Sequence, residues 1–245
     1  MRITGKWDVV LNYGDKTFYE DQILAVDSSF FFDVFSFPLL EGNPSQVLRE
    51  PNTIVITKSS ARKYFGEENA MGKMFNLIAD EEEDAVRVVG IVEDVPHNVH
   101  FQFDFLLTLT IFDFSRSENW WKNNFKTYLA LQEGLDYMEL EKKLPDYIRK
   151  YLGGDEEELD EWLEAGNYWK YNLQPLEKIH LTSDLNGEIE PNSNIQYVYI
   201  FSFVGLIILL ITCINFINLS TARSASRARE VGVRKVGRGI ETISD

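Results

Sequence analysis

An α+β fold is predicted for residues 1–194, a mixed sheet and helix domain, with one transmembrane α-helix behind it at 195–221 and a basic segment at 222–245. Three observations carry this. Stretches rich in Val, Ile, Tyr and Phe alternate with short helical periodicities, but without the regular spacing of a doubly wound parallel sheet. The run from Val198 to Leu219 holds no charged side chain, and about 20 such residues at ~1.5 Å each cover a hydrocarbon core of roughly 30 Å. Charge divides at the same place. From residue 223 onward there are 6 basic and 3 acidic residues, a balance of +3, whereas the preceding part of the chain has 18 basic and 36 acidic, a balance of −18.

Arg2–Leu11 and Thr17–Val26 read as a hairpin around a turn at Asn12–Asp15. Asp27 is placed to cap a short helix, Ser28–Phe35, with Phe30, Phe31, Val34 and Phe35 on one apolar face. Turns are expected around Pro38, Gly42, Asn43 and Pro44. Thr53–Thr57 is a short β-branched strand, after which Ser59 is expected to cap a helix that stops at Gly66. Met74–Ile78 and Val86–Val92 form a second hairpin with an acidic tip at Asp80–Asp84. Alternating Phe101, Phe103 and Phe105 call for a strand, as do Thr127–Gln132 and Trp169–Leu181. Trp120 and Trp121 stand in a polar loop. Leu140, Leu144, Ile148 and Leu152 recur four apart in a helix over Asp136–Leu152, which Pro145 should kink or restart. Asp155–Glu164 reads as a very acidic helix with a solvated face, and Thr182–Asn194 as a polar linker.

At the membrane, Tyr197 and Tyr199 suit the headgroup level, and Arg223, Arg227, Arg229, Arg234, Lys235 and Arg238 crowd the far end. Short basic segments stay cytoplasmic, which places residues 1–196 outside the cell membrane and the C-terminal segment inside. Thr212, Asn215 and Asn218 recur every three residues on one side of the span. Amides facing lipid are costly, so the stripe is a candidate helix-packing surface for further spans. The stretch after it continues as helix until Gly237 and Gly239. No secretory signal opens the chain, so an earlier spanning helix is expected and the chain reads as a fragment of a longer protein.

Several chemistries find no support. An acidic domain lacks the clustered cations that nucleic acid requires. Gly66–Met74 fails as a phosphate loop because its glycines are misspaced, Met74 replaces the needed hydroxyl, and a helix precedes it. The acidic tip lacks calcium-loop spacing. His97 and His100 have no third ligand nearby, His180 stands alone, and Cys213, the single cysteine, sits in the apolar run. No catalytic residue, metal or cofactor is therefore assigned. Two rival readings remain, a single-pass sensor with a ligand-binding outer domain and an outside hydrolase. The sensor predicts a downstream output domain, and the hydrolase a nucleophile–base grouping; neither feature is found here.

The run NFINLSTARSASRAREVGVRKVG resembles the second spanning helix and following cytoplasmic segment of MacB/FtsX-type ABC transporter permeases. Upstream, FFDVFSFPLLEGNP, NTIVITKSSARKYFGEENAMGK, VVGIVEDVP and HFQFDFLL resemble the MacB-like periplasmic core domain. The resemblance implies a porter-like part with a Sabre-like insert at about residues 50–120, in a non-catalytic inner-membrane permease subunit with four spans. It implies a cytoplasmic ABC ATPase partner that contacts Arg229, Glu230, Val231, Gly232, Arg234 and Lys235, a homodimer of permeases in the lipid bilayer, and a periplasmic adaptor or outer-membrane partner. The work would be mechanotransmission or export of lipophilic or peptide cargo.

Overall fold

The computed structural model describes residues 1–30, 34–79, 82–117, 122–152, 161, 163–183, 185 and 187–241, with residues 152 and 235–241 described by backbone alone. It divides into two compact units, Met1–Asn192 and Ser193–Asp245. The first unit is a mixed sheet with helices, and the second is a helix.

The strands of the first unit are β1 (Arg2–Ile3), β2 (Trp7–Tyr13), β3 (Lys16–Val26), β4 (Leu39–Glu41), β5 (Thr53–Thr57), β6 (Met74–Ala79), β7 (Glu82–Val92), β8 (Phe105–Thr108) and β9 (Lys126–Thr127). Their order is β2-β6-β7-β5-β8-β3-β1-β9, with β4 on β7 and a further β2–β3 pairing. That last pairing closes a ring of six strands. Within it β3–β8 and β5–β7 are parallel and the other ladders antiparallel. The segment at about 50–120 thus contributes β5 to β8 to the same sheet as β2 and β3.

Alternation decides which side chains enter the ring. Ile23 and Ala25, Ile54 and Ile56, and Phe105 and Leu107 join one core with Leu11, Phe75 and Val86. Their neighbours Leu24, Val55 and Leu106 join a second core on the opposite face, with Phe30, Val47, Phe101 and Phe103. A strand buried on both faces needs an unbroken apolar run, as TIVIT and FLLT supply. In β7 the inward set changes parity, Val86 and Val88 being followed by Ile91, because the register to β5 slips between Ile54 and Val55. Gly42 faces this irregularity with φ +109, and a Cβ there would lie 2.7 Å from the Val89 carbonyl oxygen.

Several local expectations are corrected. Asp27 spends its carboxylate on Arg2, whose Nε and Nη2 donate to it at 3.2 and 3.0 Å. Within the expected Ser28–Phe35 helix the Phe30 N–H donates to the Asp27 carbonyl at 3.1 Å and the Phe35 N–H to the Phe30 carbonyl at 3.0 Å, while residues 31–33, Phe31 among them, lie outside the described residues. The first helix, α1 (Lys58–Phe65), is capped by Thr57 through Ser60 N–H, because Ser59 donates its N–H and hydroxyl to Asp94. Gly66 does end it. The second hairpin pairs through Ala79–Glu82, so Glu82 to Asp84 are strand residues, and Asp80 lies outside the described residues.

Beyond β8, Phe101 and Phe103 precede the strand and pack in the second core while Phe105 packs in the first, so the three do not share one strand face. Thr127–Gln132 forms strand only at its first residue, and Trp169–Leu181 begins without regular secondary structure and leads into α4 (Leu176–Thr182). The helix over Asp136–Leu152 is two, α2 (Tyr137–Glu141), capped by Asp136, and α3 (Leu144–Leu152), with Pro145 in the opening turn of α3, where its missing N–H costs nothing. Trp120, Trp121 and most of the acidic Asp155–Glu164 stretch lie outside the described residues.

The expected linker is anchored. Ile189 is buried in the second core, and the Glu190 carboxylate accepts from Lys6 and from the Gln102 N–H. The second unit is α5 (Ile195–Glu241), whose backbone passes through Gly237 and Gly239 rather than ending there.

Substituting the two positive-φ glycines should give unequal costs. Gly42→Ala meets carbonyl oxygen as well as strained φ and should cost more than about 2 kcal/mol. Gly66→Ala, with open space around its Cβ, should cost about 1 kcal/mol. Denaturant unfolding of the whole chain in detergent measures both, and equal costs would remove the Val89 clash as the cause.

Candidate functional site

Two regions gather the residues with functional potential, the long helix and a cleft in the first unit.

The helix α5 spans 47 residues, roughly 70 Å at ~1.5 Å per residue, more than twice a hydrocarbon core. Ile195–Arg234 is long and apolar enough to cross a membrane, with a mean hydropathy of 2.7 in its most apolar window, all of it exposed. Thr212 turns its hydroxyl back to the Ile208 carbonyl at 2.8 Å, so hydrocarbon would not meet an unsatisfied donor there. Asn215 and Asn218 show no side-chain partner among the described residues, and both are exposed. An amide has no such local solution, because it needs two acceptors as well as a donor. Further along, Glu230 and Arg234 form an exposed ion pair at 2.6 Å, one turn apart. Arg229, Val231 and Gly232 are exposed beside them, and Lys235 lies where only the backbone is described. The helix therefore places Arg229 to Lys235 in succession beyond its apolar stretch.

The cleft encloses about 720 Å³. It is lined by the chain from Asn123 to Leu131, by Asn172 to Leu176 together with Ile179, and by Phe35 and His100. Sequence reasoning missed it, because its walls are some 45 residues apart and neither has a motif. His100 Nε2 and the Tyr128 hydroxyl are 2.8 Å apart. Burial holds the His100 imidazole below its ordinary pKa; the carboxylates of Glu188 and Glu190 oppose this and His180 adds to it. Burial likewise pushes the Tyr128 phenol up and the Lys126 ammonium down, the latter opposed by Glu188. The Glu188 carboxylate accepts from the Ser183 hydroxyl. With both His100 and Tyr128 held neutral, the cleft suits binding; no nucleophile stands beside His100 among its described contacts. Among the described residues no three His, Cys, Asp or Glu side chains gather as a metal site.

The model of the MacB-like periplasmic core domain matches residues 2–147, more than half of the chain. The chain belongs to the MacB-like periplasmic core domain family. Its core-domain match spans β1 to β9, α2 and the first turn of α3. Among solved structures it is similar to a domain of a candidate permease protein from Porphyromonas gingivalis, at 26% identity over 63% of this chain and 70% of that one, with a TM-score of 0.51. It also matches the periplasmic region of MacB from Actinobacillus actinomycetemcomitans, at 17% identity over 61% of this chain and 65% of that one, TM-score 0.43. A third match is the extracellular domain of the noncanonic ABC-type transporter YknZ from Gram-positive bacteria, at 14% identity over 53% and 65%, TM-score 0.36. No curated protein matches the chain.

His100 makes stability depend on pH with a definite sign. Its pKa is lower folded than unfolded, so the folded chain binds fewer protons below neutrality and stability falls as pH drops through the imidazole's ordinary range near 6.5. The melting temperature of this MacB-like chain should therefore fall from pH 7.5 to pH 5 more steeply than that of His100→Gln. Parallel profiles would show the imidazole to be unlinked.

Proposed function

We propose that this MacB-like chain is part of an ABC transporter permease subunit of the bacterial inner membrane, with residues 1–196 outside and the segment from residue 222 in the cytoplasm. The observation that carries the reading is the conjunction, in one chain, of the core-domain match over 2–147 and an apolar helix that leads into clustered arginines. The core domain is otherwise a fold without assigned chemistry, and the helix otherwise an anchor. Together they suit a device that links an outer domain to the cytoplasm.

In this reading the chain is non-catalytic, and a separate ABC ATPase in the cytoplasm supplies the work. Closure of that ATPase displaces the segment Arg229–Lys235, and the continuous hydrogen bonding of α5 resists bending and carries the displacement outward. Glu230 and Arg234 present a paired, exposed contact for the ATPase. Thr212, Asn215 and Asn218 face neighbouring spans, where the amides find partners that lipid does not offer. The permease works as a homodimer with a periplasmic adaptor or outer-membrane partner, in mechanotransmission or in export of lipophilic or peptide cargo.

Two measurements test this. Protease added to intact spheroplasts should digest the first 190 residues and spare the last twenty; the reverse pattern inverts the topology and removes the reading. In the complete permease, co-purification of the ATPase should drop about tenfold or more for Glu230→Arg, a charge reversal at a contact. The double exchange of Glu230→Arg with Arg234→Glu, which restores the helix's own ion pair, should remain defective. Full recovery in the double exchange would reduce the pair to helix support.

A further inference from the structure

Two stretches with strand-forming composition, Thr127–Gln132 and the opening of Trp169–Leu181, lie outside the sheet beyond Thr127, and both line the 720 Å³ cleft. Every residue from Asn123 to Leu131 lines the cleft, and so does every residue from Asn172 to Leu176. A strand that shows one face to a cavity lines it with alternate residues only. Consecutive lining means that the cleft borders these two segments along their length. β9 is the last strand in the sheet order, so this flank is a sheet edge. The backbone N–H and C=O groups of Leu129, Ala130, Leu131, Asn172 and Leu173 have no partner among the described residues.

An open edge with unpaired donors and acceptors is a template for another strand. Side chains narrow the occupant. Leu129 and Leu131, two apart, are 51% and 38% exposed, and Leu173 and Ile179 line the same cleft. The Lys126 ammonium is half-buried and makes no hydrogen bond or contact ion pair among the described residues; the Glu188 carboxylate, which accepts from the Ser183 hydroxyl, acts on it electrostatically without touching it. The cleft thus carries one cation that no anion touches among the described residues, set among aliphatic side chains. An acyl chain would cover the leucines but leave the backbone groups and the ammonium unpaired, and burying them so is costly.

We propose that this cleft is a strand-addition site for an extended peptide with aliphatic side chains at alternate positions and one carboxylate, its backbone pairing along residues 129–131 and its carboxylate meeting Lys126. The site needs only the first unit and does not depend on the permease reading.

The probe is a fluorescent hexapeptide, Val-Thr-Val-Glu-Val-Thr, titrated into the whole chain in detergent micelles and followed by anisotropy. Saturable binding is expected. Methylating alternate amide nitrogens of the probe, which removes the donors that an added strand uses, should weaken it about tenfold or more, since each net hydrogen bond contributes a factor of roughly two to ten. Replacing the probe's glutamate by glutamine, or Lys126→Gln in the chain, should each weaken binding about threefold to tenfold, with no further loss when both are made, the signature of one shared contact. The methylated probe needs no variant protein, so a folding defect does not cloud it. Absence of saturable binding overturns the site, as does equal binding of the methylated probe, which would be adsorption on the leucines. Sedimentation showing a second copy of the chain in place of the peptide overturns it as well.

Discussion

Burial of β3, β5 and β8 on both faces is the constraint from which the first unit follows. Ile54 and Ile56 face one core and Val55 the other, and the same division separates Phe105 and Leu107 from Leu106. Neither face can be left to water, so the sheet must both close on itself and be covered outside. The ring of six strands meets the first demand. Phe30, Val47, Leu48, Phe101 and Phe103, drawn from loops rather than strands, meet the second. Irregular segments are retained because aromatic side chains bring large apolar area per residue. Ile189, just before the second unit, is drawn into that outer cover, and Glu190 is held there by Lys6 and Gln102.

The second unit suits a different solvent. Its helix satisfies its own backbone, which is why a helix is admissible in hydrocarbon, and its hydroxyls at Thr212 and Thr221 satisfy themselves against carbonyls one turn back. Asn215 and Asn218 have no such recourse. The polar requirement of the span is thereby concentrated on one side, and the charge requirement at one end.

Polar groups near the edge of the first unit show how placement changes chemistry. Nothing in the sequence groups His100, Tyr128, Lys126 and Glu188. In the fold they line one cleft, where partial burial disfavours the charge on His100 and Lys126. What they have in common is a cavity in which burial disfavours charge on the imidazole, the phenol and the ammonium, with the Glu188 carboxylate opposing it at His100 and Lys126.

Local chemistry was legible wherever one periodicity dominated. The two hairpins, the strand Thr53–Thr57, the stop at Gly66, the restart at Pro145 and the spanning helix all follow from alternation, capping glycine or apolar length. Residues with competing partners were not legible. Asp27 and Ser59 are good helix caps, yet Arg2 and Asp94, remote in sequence, take their hydrogen bonds. Thr127–Gln132 and Trp169–Leu181 have strand composition, but a strand exists only where a neighbour pairs with it, and no composition records the neighbour. The same holds for Phe101 and Phe103, whose alternation with Phe105 implies one face that the chain does not keep. The α+β class, the acidic first unit, the uncharged apolar run and the basic end were determined by the sequence alone, since each is a sum over nearby residues. Closure of the ring, the two cores and the cleft were decided by tertiary structure, because each depends on contacts between residues tens of positions apart.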